Sequence, residues 1–206
     1  MLTTKIETIT FSETTIQISE IENSAALNKK ICKSAYEIMK KQPNKNLDAL
    51  DCNFYTTFMS GQSLTDKEPF SKLKKSILDE VAKYARELGF DIDRHPLQLN
   101  ACWLNIYGKG HFHENHRHMS TIRQLLLGHP LNVFSVIYYP KAPKGCGHLV
   151  FYSQKNIGLN TPEFRIVPQS GRMVIFRSWL YHSVLPTDTQ GDRLSIAFNV
   201  SLGGYR

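Results

Sequence analysis

A mainly β fold with flanking helices, of the α+β class, is predicted by two observations. From Gln98 onward the chain is a succession of short β-branched and aromatic runs separated by Gly, Pro, Asn and Asp. Before that point, two segments carry apolar residues at helical spacing. Closely spaced strands after two helices predict an antiparallel sandwich or barrel with the helices packed outside. A length of 206 residues makes one compact domain the default. Residues 1–97 would then be a helical and strand support, and 98–206 the β core.

The elements follow in order. Residues 5–19, "KIETITFSETTIQIS", alternate β-branched and polar residues and read as one or two strands. "AALNKKICKSAYEIMKK" then sets Ala26, Leu27, Ile31, Ala35, Ile38 and Met39 on one helical face, with Asn23 or Ser24 available as N-cap. "QPNKNLDALDCN" is a polar connection. A second helix is expected over Lys67 to Leu88, with Leu73, Ile77, Val81, Tyr84 and Leu88 along its stripe and Gly89 to end it. The strand candidates are "LQLNACWLNIY", "VFSVIYYP", "HLVFYS", "FRIVP", "RMVIFRS" and "LSIAFNVS".

Composition narrows the function. A 41% hydrophobic and 11% aromatic content is too rich for a disordered chain. No apolar run approaches the roughly 20 residues that span a bilayer, and "MLTTKIETITFSETT" lacks the basic and apolar regions of a secretory signal. A cytoplasmic protein without membrane partners is expected. The cysteines Cys32, Cys52, Cys102 and Cys146 form no CxxC and read as reduced thiols. The formal charge of +7 is spread along the chain rather than clustered, so it argues against a nucleic-acid surface and suits small anionic ligands equally well. The pattern leaves the oligomeric state open, and a dimer is compatible with it.

The chemistry concentrates in "YGKGHFHENHRH", which holds four of the eight histidines in twelve positions. On a strand, residues i and i+2 face the same side, so His111 with His113, or His116 with His118, could present two imidazoles to one ion. A zinc-protease HExxH is excluded, because Arg117 stands where the second histidine belongs and the flanks are strand-like. Glu114 is a further candidate carboxylate ligand. Downstream, "GRMVIFRSWLYHSVLPTDTQGDRLSIAFN" supplies an isolated His182, then Arg193 and Ser195 on one side of the next strand. Two near ligands, one distant histidine and a cation for a far carboxylate are what a non-haem Fe(II) oxygenase with an oxo-acid co-substrate requires.

These residues resemble the 2-oxoglutarate- and Fe(II)-dependent oxygenases, in particular their prolyl-hydroxylase-like branch. Tyr107, Gly110, His116 and position 118 fall on that branch's spacing of tyrosine, glycine, histidine and acid. "GRMVIFRSWLYHSVLP" and "DRLS" are similar to its distal histidine segment and Arg-x-Ser strand. "WLNIYGKG", "SVIYYPKAPKGCGHLVF" and "SWLYHSVLP" look like a narrower group of bacterial and phage members, and the N-terminal helices and "SGQS" fit that group's layout.

The resemblance implies a double-stranded β-helix, or jelly roll. It implies Fe(II) held by His116, His118 and His182, with 2-oxoglutarate as co-substrate and O2 as oxidant. Arg193 and Ser195 would bind the co-substrate, with Asn105 and Tyr138 on strands lining the barrel. His113, Tyr139 and Asn199 are candidate substrate contacts, and no catalytic residue is expected beyond the metal ligands. Trp103 and Trp179, with apolar neighbours, read as packing residues.

Two features depart from the branch. His118 replaces the usual carboxylate, which raises the charge at the metal. "MSTIRQLLLGHPLN" lengthens the connection after His118, where a loop could serve as a substrate lid. The expected reaction is oxidation, mainly hydroxylation, of a small-molecule, amino-acid or peptide substrate. The alternatives are a three-histidine cupin-type dioxygenase that uses no 2-oxoglutarate and a non-catalytic jelly-roll metal-binding module.

Overall fold

The computed structural model describes residues 4–11, 14–43, 53–58, 60, 64–66, 68–153 and 163–204. Most of the polar connection expected at 42–53, and all but Ser60 of "SGQS", lie outside the described residues. The N-terminal pattern becomes a hairpin of β1 (Thr4–Phe11) and β2 (Thr14–Ile21), paired in register along their length. Helix α1 (Ala25–Lys41) buries Asn28, Ile31 and Ala35 and ends on Lys40 and Lys41, which suit the negative end of the helix dipole.

Helix α2 (Phe70–Glu87) starts three residues later than the periodicity suggests. The ring of Pro69 disfavours helical backbone at Glu68, so the first helical residue follows the proline. Its stripe of Leu73, Ile77, Val81 and Tyr84 is fully buried. Gly89 closes it at φ +81°, donating to the Arg86 carbonyl, as a left-handed C-terminal stop requires.

The remaining strands are β3 (Tyr55–Thr56), β4 (Leu97–Tyr107), β5 (His113–His116), β6 (Phe134–Lys141), β7 (Leu149–Tyr152), β8 (Glu163–Ile166), β9 (Arg172–Arg177), β10 (His182–Val184) and β11 (Arg193–Leu202). They form a seven-stranded sheet, β1-β2-β9-β6-β11-β4-β3, and a four-stranded sheet, β5-β10-β7-β8. Every pairing in both is antiparallel. A short α3 (Ile122–Leu126) interrupts the connection between β5 and β6. The expected mainly β architecture with outer helices is thus the one observed.

The larger sheet separates two cores. One face of β4, β6 and β11 sends Leu104, Ile106, Val136, Tyr138, Ile196 and Phe198 against the helices. The other face sends Tyr107, Ile137 and Tyr139 toward Leu149, Phe151 and Phe176, between the sheets. No described helix is long and apolar enough to cross a membrane.

One close approach fixes the mouth of the inter-sheet space. At Gly147 a Cβ would lie 1.8 Å from the Leu185 carbonyl oxygen, so only glycine lets the two chain segments pass. The Gly147 carbonyl in turn accepts a hydrogen bond from Arg193 Nη1 at 2.8 Å. Gly147→Ala is therefore expected to cost about 3 kcal/mol of stability, read from urea denaturation. An unchanged midpoint would mean that the segment around Leu185 yields freely.

Candidate metal and co-substrate site

Strand pairing assembles the histidines. His182 on β10 lies directly opposite His116 on β5. His118, just past the end of β5, is held by its backbone N–H on the Ser178 carbonyl and by its own carbonyl, which accepts from Asn132 Nδ2 at 2.8 Å. One potential ligand atom each from His116, His118 and His182 lie within 4.8 Å of one another.

Each ring is oriented through its Nδ1. His182 Nδ1 donates to the Leu180 carbonyl at 3.0 Å and His116 Nδ1 to the Glu114 carbonyl at 2.7 Å. His118 Nδ1 donates to Ser135 Oγ at 3.1 Å, and Ser135 passes its own proton to Asn199 Oδ1 while accepting from Ser178. In this tautomer every Nε2 keeps its lone pair, and His182 Nε2 is buried with no partner. That donor set fits a divalent metal, whose histidine ligands are normally fixed through the remote nitrogen.

Burial sets the protonation state. It pushes His118 down to about 3, helped by His116, and His113 down to about 2, helped by the neighbouring histidines and Arg193. His182 is held well below its usual range by the same causes, and burial lowers His116 against the opposing hydrogen bond to Glu114. All four are neutral at pH 7, the form that binds metals.

A narrow cavity opens over these rings, lined also by Trp103, Asn105, Tyr107, Tyr139, Arg193 and Ser195. Arg193 is 1% exposed, yet it forms no ion pair with a carboxylate of the described residues. Its Nη1 reaches Gly147, its Cζ sits 3.9 Å from the centroid of Tyr107, and its Nε is unpartnered. A buried guanidinium without a counter-charge is costly, and the group that relieves it is a carboxylate taken in a bidentate fork. Asn105 Oδ1 is likewise buried and unpartnered in the same cavity.

Residues 102–201 match the 2OG-Fe(II) oxygenase superfamily. The matched stretch, 100 of the 206 residues, holds His116, His118, His182 and Arg193. Members of that superfamily use Fe(II), 2-oxoglutarate and O2. Comparison with curated protein sequences gives no match. Among solved structures, a Pseudomonas putida prolyl-4-hydroxylase is similar at TM-score 0.62 and 16% identity, over 92% of this chain and 93% of that one. A Trichoplax adhaerens prolyl hydroxylase, in complex with a hypoxia inducible factor oxygen degradation domain peptide fragment, reaches 0.61 at 15% identity over 90% and 83%. HygX from Streptomyces hygroscopicus, with nickel and 2-oxoglutarate bound, reaches 0.55 at 13% over 92% and 83%. These likenesses establish the double-stranded β-helix.

The cavity gathers His116, His118, His182, Arg193, Ser195, Asn105, His113 and Tyr139 of the residues singled out in the sequence. Tyr138 is not among them. It occupies the helix-facing side of β6, where its hydroxyl donates to Asn28 Oδ1 at 2.6 Å, and its neighbour Tyr139 points into the cavity. Asn199 stands behind His118 through Ser135 rather than in the cavity lining, so its part is to orient that ring.

Glu114 is exposed and contributes only its carbonyl. His111 serves a turn, accepting the Gly108 N–H at 3.0 Å. Trp103 does more than pack: it lines the cavity and meets His118 edge-on, with centroids 5.2 Å apart.

His113 and His116 are three apart and would face opposite ways on a regular strand. A bulge intervenes, since His116 pairs with His182 and His113 with Val184, giving β5 one extra residue. The two rings consequently stack at 3.8 Å and 23°.

The depressed histidines make metal-free stability depend on pH. An unfolded imidazole titrates near 6.5 and the folded His118 near 3; between those values only the unfolded chain binds the proton. Stability is complete above pH 6.5 and falls as pH drops below it. Acidification from 6.5 to 5 is expected to cost the apo-protein about 1–2 kcal/mol through His118 alone. Denaturant unfolding at the two pH values measures it, and equal stabilities would contradict the neutral cluster.

Proposed function

We propose that this oxygenase is a hydroxylase of an unactivated C–H bond in a small-molecule, amino-acid or peptide substrate. In this reading residues 1–206 work as one catalytic unit. The observation that carries it is the buried, uncompensated Arg193 facing the same cavity as the three-histidine cluster.

His116, His118 and His182 would hold the iron through Nε2. Arg193, assisted by Ser195 and Asn105, would receive the far carboxylate of 2-oxoglutarate. Iron with this co-substrate and O2 supplies an oxidant able to attack an aliphatic C–H, releasing succinate and CO2. The protein's share is orientation and dryness. Ile137, Val184 and Ala197 present apolar surface beside the rings, and Trp103 and Tyr139 complete a wall that leaves little room for bulk water. Arg193 is also what separates this reading from a three-histidine dioxygenase that needs no oxo-acid.

The connection 119–132 is proposed as a substrate lid. Its base is tied by Ser120 Oγ to the Pro130 carbonyl, by Asn132 N–H to Ser120 Oγ and by Asn132 Nδ2 to the His118 carbonyl. Beyond that base, α3 and its exit expose Ile122, Leu126 and Leu127 at 78%, 83% and 68%, more contiguous apolar surface than a free loop usually shows. A loop rooted on a metal-site histidine and apolar at its tip is suited to covering an apolar part of the substrate.

Anaerobic titration of the Fe(II) protein with 2-oxoglutarate should give a metal-to-ligand charge-transfer band in or near the visible range. Arg193→Met should need about a hundredfold more co-substrate for the same band, as expected when a buried charge pair loses one partner. If the variant binds 2-oxoglutarate like the parent, or no band forms, the reading is wrong.

For the lid, Ile122→Ser with Leu126→Ser should leave that band unchanged and lower substrate-stimulated succinate release about tenfold or more. Undiminished stimulation with a confirmed substrate would remove the lid role.

A further inference from the structure

We infer that Phe54 is a positioning residue that couples the metal side of the cavity to its co-substrate side through a continuous run of ring contacts. The inference rests on the roles proposed above for His116 and Arg193. Phe54 lies outside the stretch 102–201 that carries the family likeness, and none of the site roles argued so far uses it.

The geometry is a chain of four contacts. The Phe54 ring stacks on Tyr107 at 4.1 Å and 22°, and Tyr107 carries the Arg193 guanidinium 3.9 Å from its centroid. In the other direction Phe54 meets His113 at 4.8 Å and 57°, and His113 stacks on His116 at 3.8 Å. Arg193, Tyr107, Phe54, His113 and His116 therefore touch in sequence, from the proposed carboxylate receptor to a proposed iron ligand. Tyr107 and Arg193 are cross-strand partners on β4 and β11, and His113 and His116 share the bulged β5. Phe54 belongs to neither pair. It is the ring between them.

The segment that carries Phe54 is built to hold it still. Asn53 Oδ1 accepts the Phe112 N–H at 3.0 Å, which ties the segment to the approach of β5. Tyr55 and Thr56 pair with Ile106 and Asn105 as edge strand β3. Thr57 exchanges two bonds with Leu104, its N–H donating to the carbonyl and its Oγ1 accepting the N–H, both at 3.0 Å. Phe54 itself is 2% exposed. A ring this confined limits the tilt of both neighbours, because moving either would forfeit close-packed contact with it.

An aliphatic side chain could fill the volume of Phe54 without reproducing its flat faces. Ring-on-ring and cation-on-ring contacts have orientational preferences that aliphatic contacts lack. This separates positioning from ordinary packing and decides the test.

Full-length Phe54→Leu, Phe54→Ala and Phe54→Tyr would be titrated with Co(II), read by its visible absorption. The Co(II) forms would then be titrated with 2-oxoglutarate by calorimetry, so neither readout needs turnover. Leu and Ala are expected to weaken both affinities about tenfold, the range seen when groups that orient metal ligands are lost. Tyr, which keeps the ring, is expected to retain both within about twofold.

The inference is overturned if Leu binds both ligands like the parent, if only one affinity moves, or if Tyr fails as Leu does. Thermal unfolding of each variant identifies one that has lost its fold, and the remaining folded variants then decide the outcome. If the parent itself bound neither Co(II) nor 2-oxoglutarate, the functional reading would fail, and that result is distinct from a parent that binds both and variants that match it.

Discussion

Because the seven-stranded sheet is buried on both faces, each of its central strands must divide its side chains between two cores. Over Cys102–Tyr107, Val136–Tyr139 and Arg193–Phe198, alternate residues belong to the helix-facing core, and those between them line the cavity. A slip of one residue in any of these strands would exchange the two sets completely. The cavity's chemistry thus depends on pairing register: Ser195 opposite Asn105, Arg193 opposite Tyr107, Ala197 opposite Ile137. The helices matter to the site for the same reason. By covering the outer face with α1 and α2, the fold locks the parity that turns Arg193 inward.

That constraint explains how much of the site could be read in the residues and how much could not. His182 and Arg193 stood out by their isolation and strand spacing. Strand parity alone left His111 with His113 open beside His116 with His118, and the resemblance to the prolyl-hydroxylase-like branch chose between them. Tyr138 and Tyr139 were not separable in the same way. "FSVIYYP" is buried along its whole length, so no polar–apolar alternation records which tyrosine faces which core.

His113 illustrates a second limit. Only the extra residue in β5 puts it on the same side as His116, and a bulge has no signature in "HENH". Phe54 marks a third. Its role comes from a two-residue edge strand far from the motif in sequence, and nothing in "DCNFYTT" distinguishes that ring from any core aromatic. α3 was missed for a simpler reason, since five residues are too few to show a helical period.

In the proposed site His118 takes the place of a carboxylate ligand, and that reading has consequences for the whole cavity. Three neutral imidazoles leave a divalent metal with its full charge, whereas a carboxylate would cancel one unit. Coulomb repulsion between a bound metal and Arg193 would be correspondingly greater, and the metal would attract a dianionic co-substrate more strongly. The described lining contains no carboxylate that could moderate either charge.

In the same reading, hydrogen bonds around His118 take over part of what a carboxylate would supply. A carboxylate ligand brings its own charge to the metal, but a neutral imidazole depends on its ring being held at the right tilt and tautomer. His118 has that support in Ser135, Ser178 and Asn199 on one side and the edge of Trp103 on the other. The imidazole has two nitrogens, so Nδ1 can stay on Ser135 while Nε2 remains free for a metal. The serine network and the histidine therefore form one unit: the network has no ring to orient without His118, and His118 has no fixed Nε2 without the network.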